Sequence, residues 1–343
     1  VQSGGTLNTA TFAVQIAGNN GGFDLQNGAT FQTANTNGIN GVANGSGAIQ
    51  VTAGTPGTVT ISYGATANFS LSGNMNVNLA TAGAKPAITN MANLTIGAGN
   101  LNFASNLTLS GNYTSTGFVS LSTMNFTMNG AANVMNAGSF TLNSGAVINN
   151  PNASGFTVNV GTVGMNGGTV TGQPFVYAAG AVLSYTGTGP MTTGPEFPAT
   201  MPGNLTVNLT AGTPTLTLNA ARTLGASSTL TLTAGQLVTS AANMLTVNNT
   251  AVAAVTRTNG MVEGPMQRVL PAGAGAGTWL FPVSKGGTYL PFAVQNPTTV
   301  GGATVQMEAF NVGSGGTADG TSISSLRTTE YWQASAVSGS FTN

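Results

Sequence analysis

The chain has 343 residues, of which only 3% are charged, six basic against six acidic, with 50 glycines, no cysteine and no histidine. Since about a quarter of a typical globular chain is charged, solubility here rests on amides and hydroxyls. These counts exclude disulfides, thiol nucleophiles, zinc clusters and imidazole-based triads or metal sites, and they leave no basic surface to neutralise phosphates, which argues against nucleic acid as a partner.

At the start, Val1-Gln2-Ser3-Gly4-Gly5 shows no basic segment followed by an apolar one, and no apolar run reaches the roughly 18 residues a spanning helix needs. We therefore expect a mature, exported chain without membrane insertion. From there the chain repeats one unit, a strand of three to five residues with apolar side chains on one face and Thr on the other. It appears at Asn93-Leu94-Thr95-Ile96, Asn106-Leu107-Thr108-Leu109, Asn125-Phe126-Thr127-Met128 and Ser139-Phe140-Thr141-Leu142. It returns at Phe156-Thr157-Val158, Leu205-Thr206-Val207, Leu216-Thr217-Leu218, Leu230-Thr231-Leu232 and Leu245-Thr246-Val247, with a spacing of 11 to 19 residues within each of the runs 94–156 and 205–245. Turn signals at Asn27-Gly28, Asn37-Gly38, Asn40-Gly41, Asn44-Gly45, Asn129-Gly130 and Asn166-Gly167 stand between copies, because both residue types tolerate positive φ.

Residues 187–203 hold Pro190, Pro195, Pro198 and Pro202, which predicts a surface loop or hinge without regular strand. Further repeats fill 204–255. Near Thr256 the composition shifts: Arg257, Glu263, Arg268, Trp279, Phe281, Lys285, Tyr289, Phe292, Phe310, Tyr331 and Trp332 cluster there, whereas only Asp24 and Lys85 are charged before residue 195.

Short strands at such intervals fit either a parallel β-helix or tandem antiparallel sandwiches. A coil this short buries too little to stand alone, so a repeating sequence favours stacked coils. The expectation is an all-β protein: a right-handed parallel β-solenoid over 1–186, the loop at 187–203, more solenoid over 204–255, and a sandwich-like antiparallel domain over 256–343. Tandem antiparallel sandwiches are the alternative.

The segments Asn204 to Val207, Thr229 to Leu237 and Gly260-Met261-Val262-Glu263-Gly264-Pro265-Met266-Gln267-Arg268 resemble secreted repeat proteins of the Bacteroidetes. So do Phe281-Pro282-Val283-Ser284-Lys285-Gly286-Gly287-Thr288-Tyr289, Arg327-Thr328-Thr329-Glu330-Tyr331-Trp332 and, more weakly, Tyr177-Ala178-Ala179-Gly180 through Glu196-Phe197-Pro198. The resemblance covers about half the chain. It implies a cell-surface adhesin or matrix component of the kind exported by type IX secretion, although no sorting domain follows before Asn343. Sequons such as Asn68-Phe69-Ser70 matter only where glycosylation machinery reads them.

No constellation suggests catalysis, and no cofactor or metal is called for. β-helix enzymes need converging carboxylates, while Glu196 stands alone in its Pro-rich segment and reads as a solvated loop residue. Glu263 and Arg268, five apart, suggest an ion pair that fixes one strand. Gly273 to Gly277 and Gly313 to Gly316 read as loops, since neither leads into a phosphate-binding pattern. Trp279 and Tyr331-Trp332 read as core residues first and as a sugar-stacking surface second. The Thr-x-Thr segments Thr215-Leu216-Thr217 and Thr229 to Thr233 admit an ice-binding face as a weaker alternative. The leading expectation is a secreted structural protein that polymerises with copies of itself, through strand edges or a terminal strand (Val1 to Ile16, or Ser338 to Asn343) lent to a neighbour. A monomeric, glycan-binding adhesin is the runner-up.

Overall fold

A computed structural model describes residues 1–10, 12, 14–16, 22–26, 29–33, 134–150, 156–210 and 214–342, and between 49 and 128 the strand residues alone. The architecture is a β-solenoid of stacked parallel coils, nearly all strand, with one short 3-10 turn at Val252–Ala254 and no α-helix among the described residues. Contacts divide it into two compact units, Val1–Ala178 and Ala179–Asn343.

In the first unit, alternation along each strand becomes columns running across the coils, because parallel neighbours stack in register about 4.8 Å apart. One column reads Leu7, Phe31, Phe69, Leu94, Tyr113, Met135, Val158, Tyr177. Phe31, Val158 and Tyr177 are buried in it. The adjacent column reads Asn8, Gln32, Ser70, Thr95, Thr114, Asn136, Asn159, all polar and none charged. A second face repeats the arrangement. Leu107, Phe126, Ile148 and Val170 align there beside Asn90, Thr108, Thr127, Asn149 and Thr171. Thr171 donates along this polar column to Asn149 Oδ1 at 3.3 Å, and in the main sheet Asn166 donates to its stacked partner Asn143 Oδ1 at 2.9 Å.

The second unit winds three faces per coil. Leu183, Leu205, Leu230 and Val255 form one buried column. Leu216, Leu237, Val262 and Val283 form the second, and Met201, Leu224 and Val247 the third. Each such side chain contributes roughly 1.5–3 kcal/mol relative to exposure, so the stack gains stability only as coils cover one another. Three faces also explain the irregular spacing of the sequence repeat. Copies such as Leu205, Leu216 and Leu230 alternate between faces, whereas stacked partners are 19 apart at Leu107 and Phe126 and 23 apart at Phe140 and Val163.

Two sequence-level boundaries move. Residues 187–203 are a working part of a coil: Met191–Thr192 and Thr200–Met201 are strands that pair with Leu216 to Thr217 and Thr223 to Leu224. Pro195 and Pro198 lie between these strands, Pro190 and Pro202 flank them, and both Glu196 and Phe197 are buried. Parallel stacking also runs past residue 256, through Met266–Leu270 on one face and Val283–Lys285 on another. The charged and aromatic residues therefore mark the closing of the solenoid, with antiparallel strands continuing its faces. Met266–Leu270 pairs antiparallel with Thr298–Phe310, which pairs antiparallel with Tyr331–Phe341. A hairpin of Thr278–Phe281 and Phe292–Gln295 lies alongside.

Of the expected turns, Asn166-Gly167 is described, and Gly167 takes φ +85 as its role requires. The other Asn-Gly pairs and Lys85 lie outside the described residues.

Candidate functional site

The residues with chemistry in their side chains gather at three places in the second unit. The first is the Pro-rich coil. Glu196, 2% exposed, accepts hydrogen bonds from Tyr185 Oη and from the Gly194 N–H, both at 2.7 Å. Burial pushes its carboxyl above the ordinary value of 4.5, and the Tyr185 and Gly194 donors partly oppose that. Arg222 lies near, its guanidinium 5.6 Å from the Phe197 ring centroid and 2.7 Å from Asn219 Oδ1. The expectation of a solvated loop Glu therefore fails, since the prolines fold the segment inward. The carboxyl ties the Pro-rich segment to the strand Val182–Gly187. No second carboxylate joins it, and no group of three metal-ligating residues occurs among the described residues.

The second place is the end of the parallel stack. In register, Arg257 follows Leu232 and Arg268 follows Val247. Both stand where lower coils hold an inward apolar residue. Arg268 is 0% exposed and donates to the Leu280 and Ala251 carbonyls, each at 2.9 Å, and to Val252 O at 3.4 Å, while burial pushes it down to about 10. Arg257 donates to Gly260 O at 2.7 Å, and its guanidinium lies 3.6 Å from the Tyr289 ring centroid. Long planar donors thus saturate corner carbonyls that no further coil would satisfy.

The expected Glu263–Arg268 pair does not form. On a strand, a separation of five sends the two side chains to opposite faces, and the turn at Gly264-Pro265 parts them further. Glu263 instead accepts from Ser284 Oγ at 3.0 Å, Gly286 N at 2.8 Å and Gly287 N at 3.3 Å, pinning the tight turn after Val283–Lys285.

The third place is the outermost antiparallel strand, Tyr331–Phe341. Among the described residues it pairs with Thr298–Phe310 alone, and from Gln333 onward it is exposed. Trp332, Ala334 and Ala336 align with the buried Ala309, Met307 and Val305, so the apolar layer extends one strand beyond its cover. Trp332 is anchored by its indole N–H to Leu290 O at 2.9 Å. Trp279 is a core residue, 3% exposed, bonded to Thr250 O at 2.9 Å. The half-buried rings of Phe310 and Tyr331 stack with centroids 4.5 Å apart, and Lys285 Nζ lies 5.7 Å from the Phe310 centroid.

The two terminal segments expected as lent strands are both used at home. Val14–Ile16 pairs with Ile49–Val51, and Ser338 to Phe341 pairs within the terminal sheet. Of the Thr-x-Thr segments, Thr229 to Thr233 joins a hydroxyl column of Ser184, Thr206, Thr231 and Thr256, with Thr256 donating to Thr231 at 3.2 Å, whereas Thr215 and Thr217 align with Gln236 and Val238 on another face. The flanking column mixes Thr186, Asn208 and Ala234 and is interrupted by a bulge.

No family model matches the chain, and neither a curated protein nor a solved structure matches it.

Proposed function

We propose that the protein is a non-catalytic, extracellular structural protein, a subunit of a surface matrix or filament that associates with copies of itself through strand edges and flat, uncharged faces. The observation that supports this most directly is the set of uncharged polar columns. Ser184, Thr206, Thr231 and Thr256 stand in register on successive coils with their side chains at least partly exposed, and the aligned positions from Asn8 to Asn159 are likewise polar without a charge. Net charge near zero removes the long-range repulsion that keeps copies of most soluble proteins apart. The extracellular placement draws on the resemblance of Gly260 to Arg268 and Arg327 to Trp332 to secreted surface proteins of the Bacteroidetes.

Negative-stain electron microscopy of the natively secreted protein over a range of concentrations tests the reading. Regular filaments or sheets are expected; dispersed single particles at every concentration overturn it. A second reading, a glycan-binding adhesin, is favoured by the Phe310–Tyr331 stack, which offers an aromatic surface beside Lys285. Dispersed particles that bind a glycan array, with binding lost in Tyr331→Ala, would establish that reading instead.

A further inference from the structure

The terminal sheet points to one particular contact within that proposed function, on which this inference rests. We propose that a second copy of the chain pairs antiparallel with the Tyr331 to Ala336 part of the outermost strand, across a two-fold axis that passes between Gln333 and its own copy. Four features of the strand carry this.

The first is the open edge. Thr298–Phe310 is hydrogen-bonded on both sides, to Met266–Leu270 and to Tyr331–Phe341, whereas Tyr331–Phe341 has a neighbour on one side only among the described residues. The free row of N–H and C=O groups is a template for another strand. The second is the unfinished layer. Ala334 and Ala336 continue the line of the buried Met307 and Val305, yet both are exposed. Side chains this small leave room for a strand at sheet spacing, and one more strand would carry the layer onward.

Third, the segment lacks the features that normally protect an edge. Tyr331-Trp332-Gln333-Ala334-Ser335-Ala336 contains no Lys, no Pro and no charge. Of the charges nearby, Arg327 and Glu330 form an ion pair with each other just before the strand, and Glu308, opposite Gln333 on the covered side, pairs with Lys285 at 3.9 Å. Identical copies therefore meet without like-charge opposition. Fourth, the segment has a defined end. The pairing register shifts between Thr304 and Val305, leaving Val337 as an extra residue, 53% exposed, so the regular ladder covers Tyr331 to Ala336. Because opposite residues of an antiparallel pair point to one face, the two-fold sets Gln333 opposite its own copy, Trp332 opposite Ala334 and Tyr331 opposite Ser335. The antiparallel sense is that of the sheet it extends.

The absence of native cysteine makes the test direct. Gln333→Cys, oxidised in the full chain, is expected to give a disulfide dimer on a non-reducing gel. Ile323→Cys, at an exposed position outside the sheet, serves as the control and stays monomeric. Gln333→Lys places like charges across the axis and is expected to lower dimerisation at least tenfold by sedimentation, more at low salt than at high. Cross-linking no greater than the control's overturns the proposal. So does a monomer whose amides from 331 to 336 resist hydrogen exchange, since that edge would be covered by its own chain. Filaments that persist in Gln333→Lys would sink this contact while leaving the structural-subunit reading standing. A wild-type chain that never assembles would end both.

Discussion

Tyr185 donates its phenolic proton to Glu196 Oε1 across 2.7 Å, inside a coil where neither side chain is more than 2% exposed. The bond closes the Pro-rich segment onto the preceding strand, and its strength depends on the protonation of the carboxyl.

The sign of that dependence follows from the raised value of Glu196. Below 4.5 the group is protonated folded and unfolded alike, and its contribution is fully present. As pH rises past that value the unfolded chain releases its proton first, so stability falls until pH passes the folded value and then levels. Glu196→Gln keeps an acceptor for Tyr185 and Gly194 without the buried charge. We expect its melting temperature at pH 7 to equal or exceed wild type and its pH dependence to flatten. A variant clearly less stable than wild type at pH 7 would show that the charge itself holds the coil.

Removing the donor acts the other way. Tyr185→Phe leaves Oε1 buried without that partner and is expected to cost about 1–3 kcal/mol, with the greater loss at neutral pH, where the carboxyl is more often charged. Urea unfolding at pH 5 and pH 7 measures the difference, and equal losses would contradict it.

Arg268 closes the last parallel coil by donating to three carbonyls. Arg268→Ala combines a cavity with stranded acceptors, and a loss of about 3–5 kcal/mol is expected. Arg268→Met fills the volume without the donors and is expected to recover part of that. If Met restores the whole, the guanidinium bonds contribute nothing net, and packing alone closes the coil.

Two glycines separate backbone strain from steric overlap. Gly172 and Gly180 have φ of +86 and +82, but a Cβ at Gly172 would lie 2.1 Å from Asn150 O, whereas Gly180 has nothing within 4 Å. Gly180→Ala is expected to cost about 1–2 kcal/mol from the left-handed conformation, and Gly172→Ala distinctly more. Similar chemical-denaturation losses for the two would mean that the Asn150 peptide moves aside.

Alternation of Leu or Val with Thr announced strands and their buried faces, as in Leu205-Thr206-Val207 and Leu230-Thr231-Leu232. It did not announce which strand stacks on which, because coil length is set by corners whose residues carry no periodic signal. Hence the expected boundary at Thr256, where Val255 to Arg257 in fact continues the column of Leu230 to Leu232. The same blindness hid the burial of Glu196: four prolines read as exposure, but proline fixes only the local bend, and the coils on either side decide what the bend encloses. Arg257 and Arg268 carried a signal available in hindsight, a long cation at the phase of an inward apolar residue. The Glu263–Arg268 expectation weighed charge and separation without the period-two geometry of a strand.

The column from Leu7 to Tyr177 holds its register while the residue count between steps varies, from Leu94 to Tyr113 on one step and from Phe31 to Phe69 on another. Each coil consults only the coil beneath it, and only at the faces. Over evolutionary time such a chain can lengthen a corner, or duplicate or delete a whole coil, without renegotiating the rest of the molecule. Its length is thus a heritable variable, as adjustable as any single side chain.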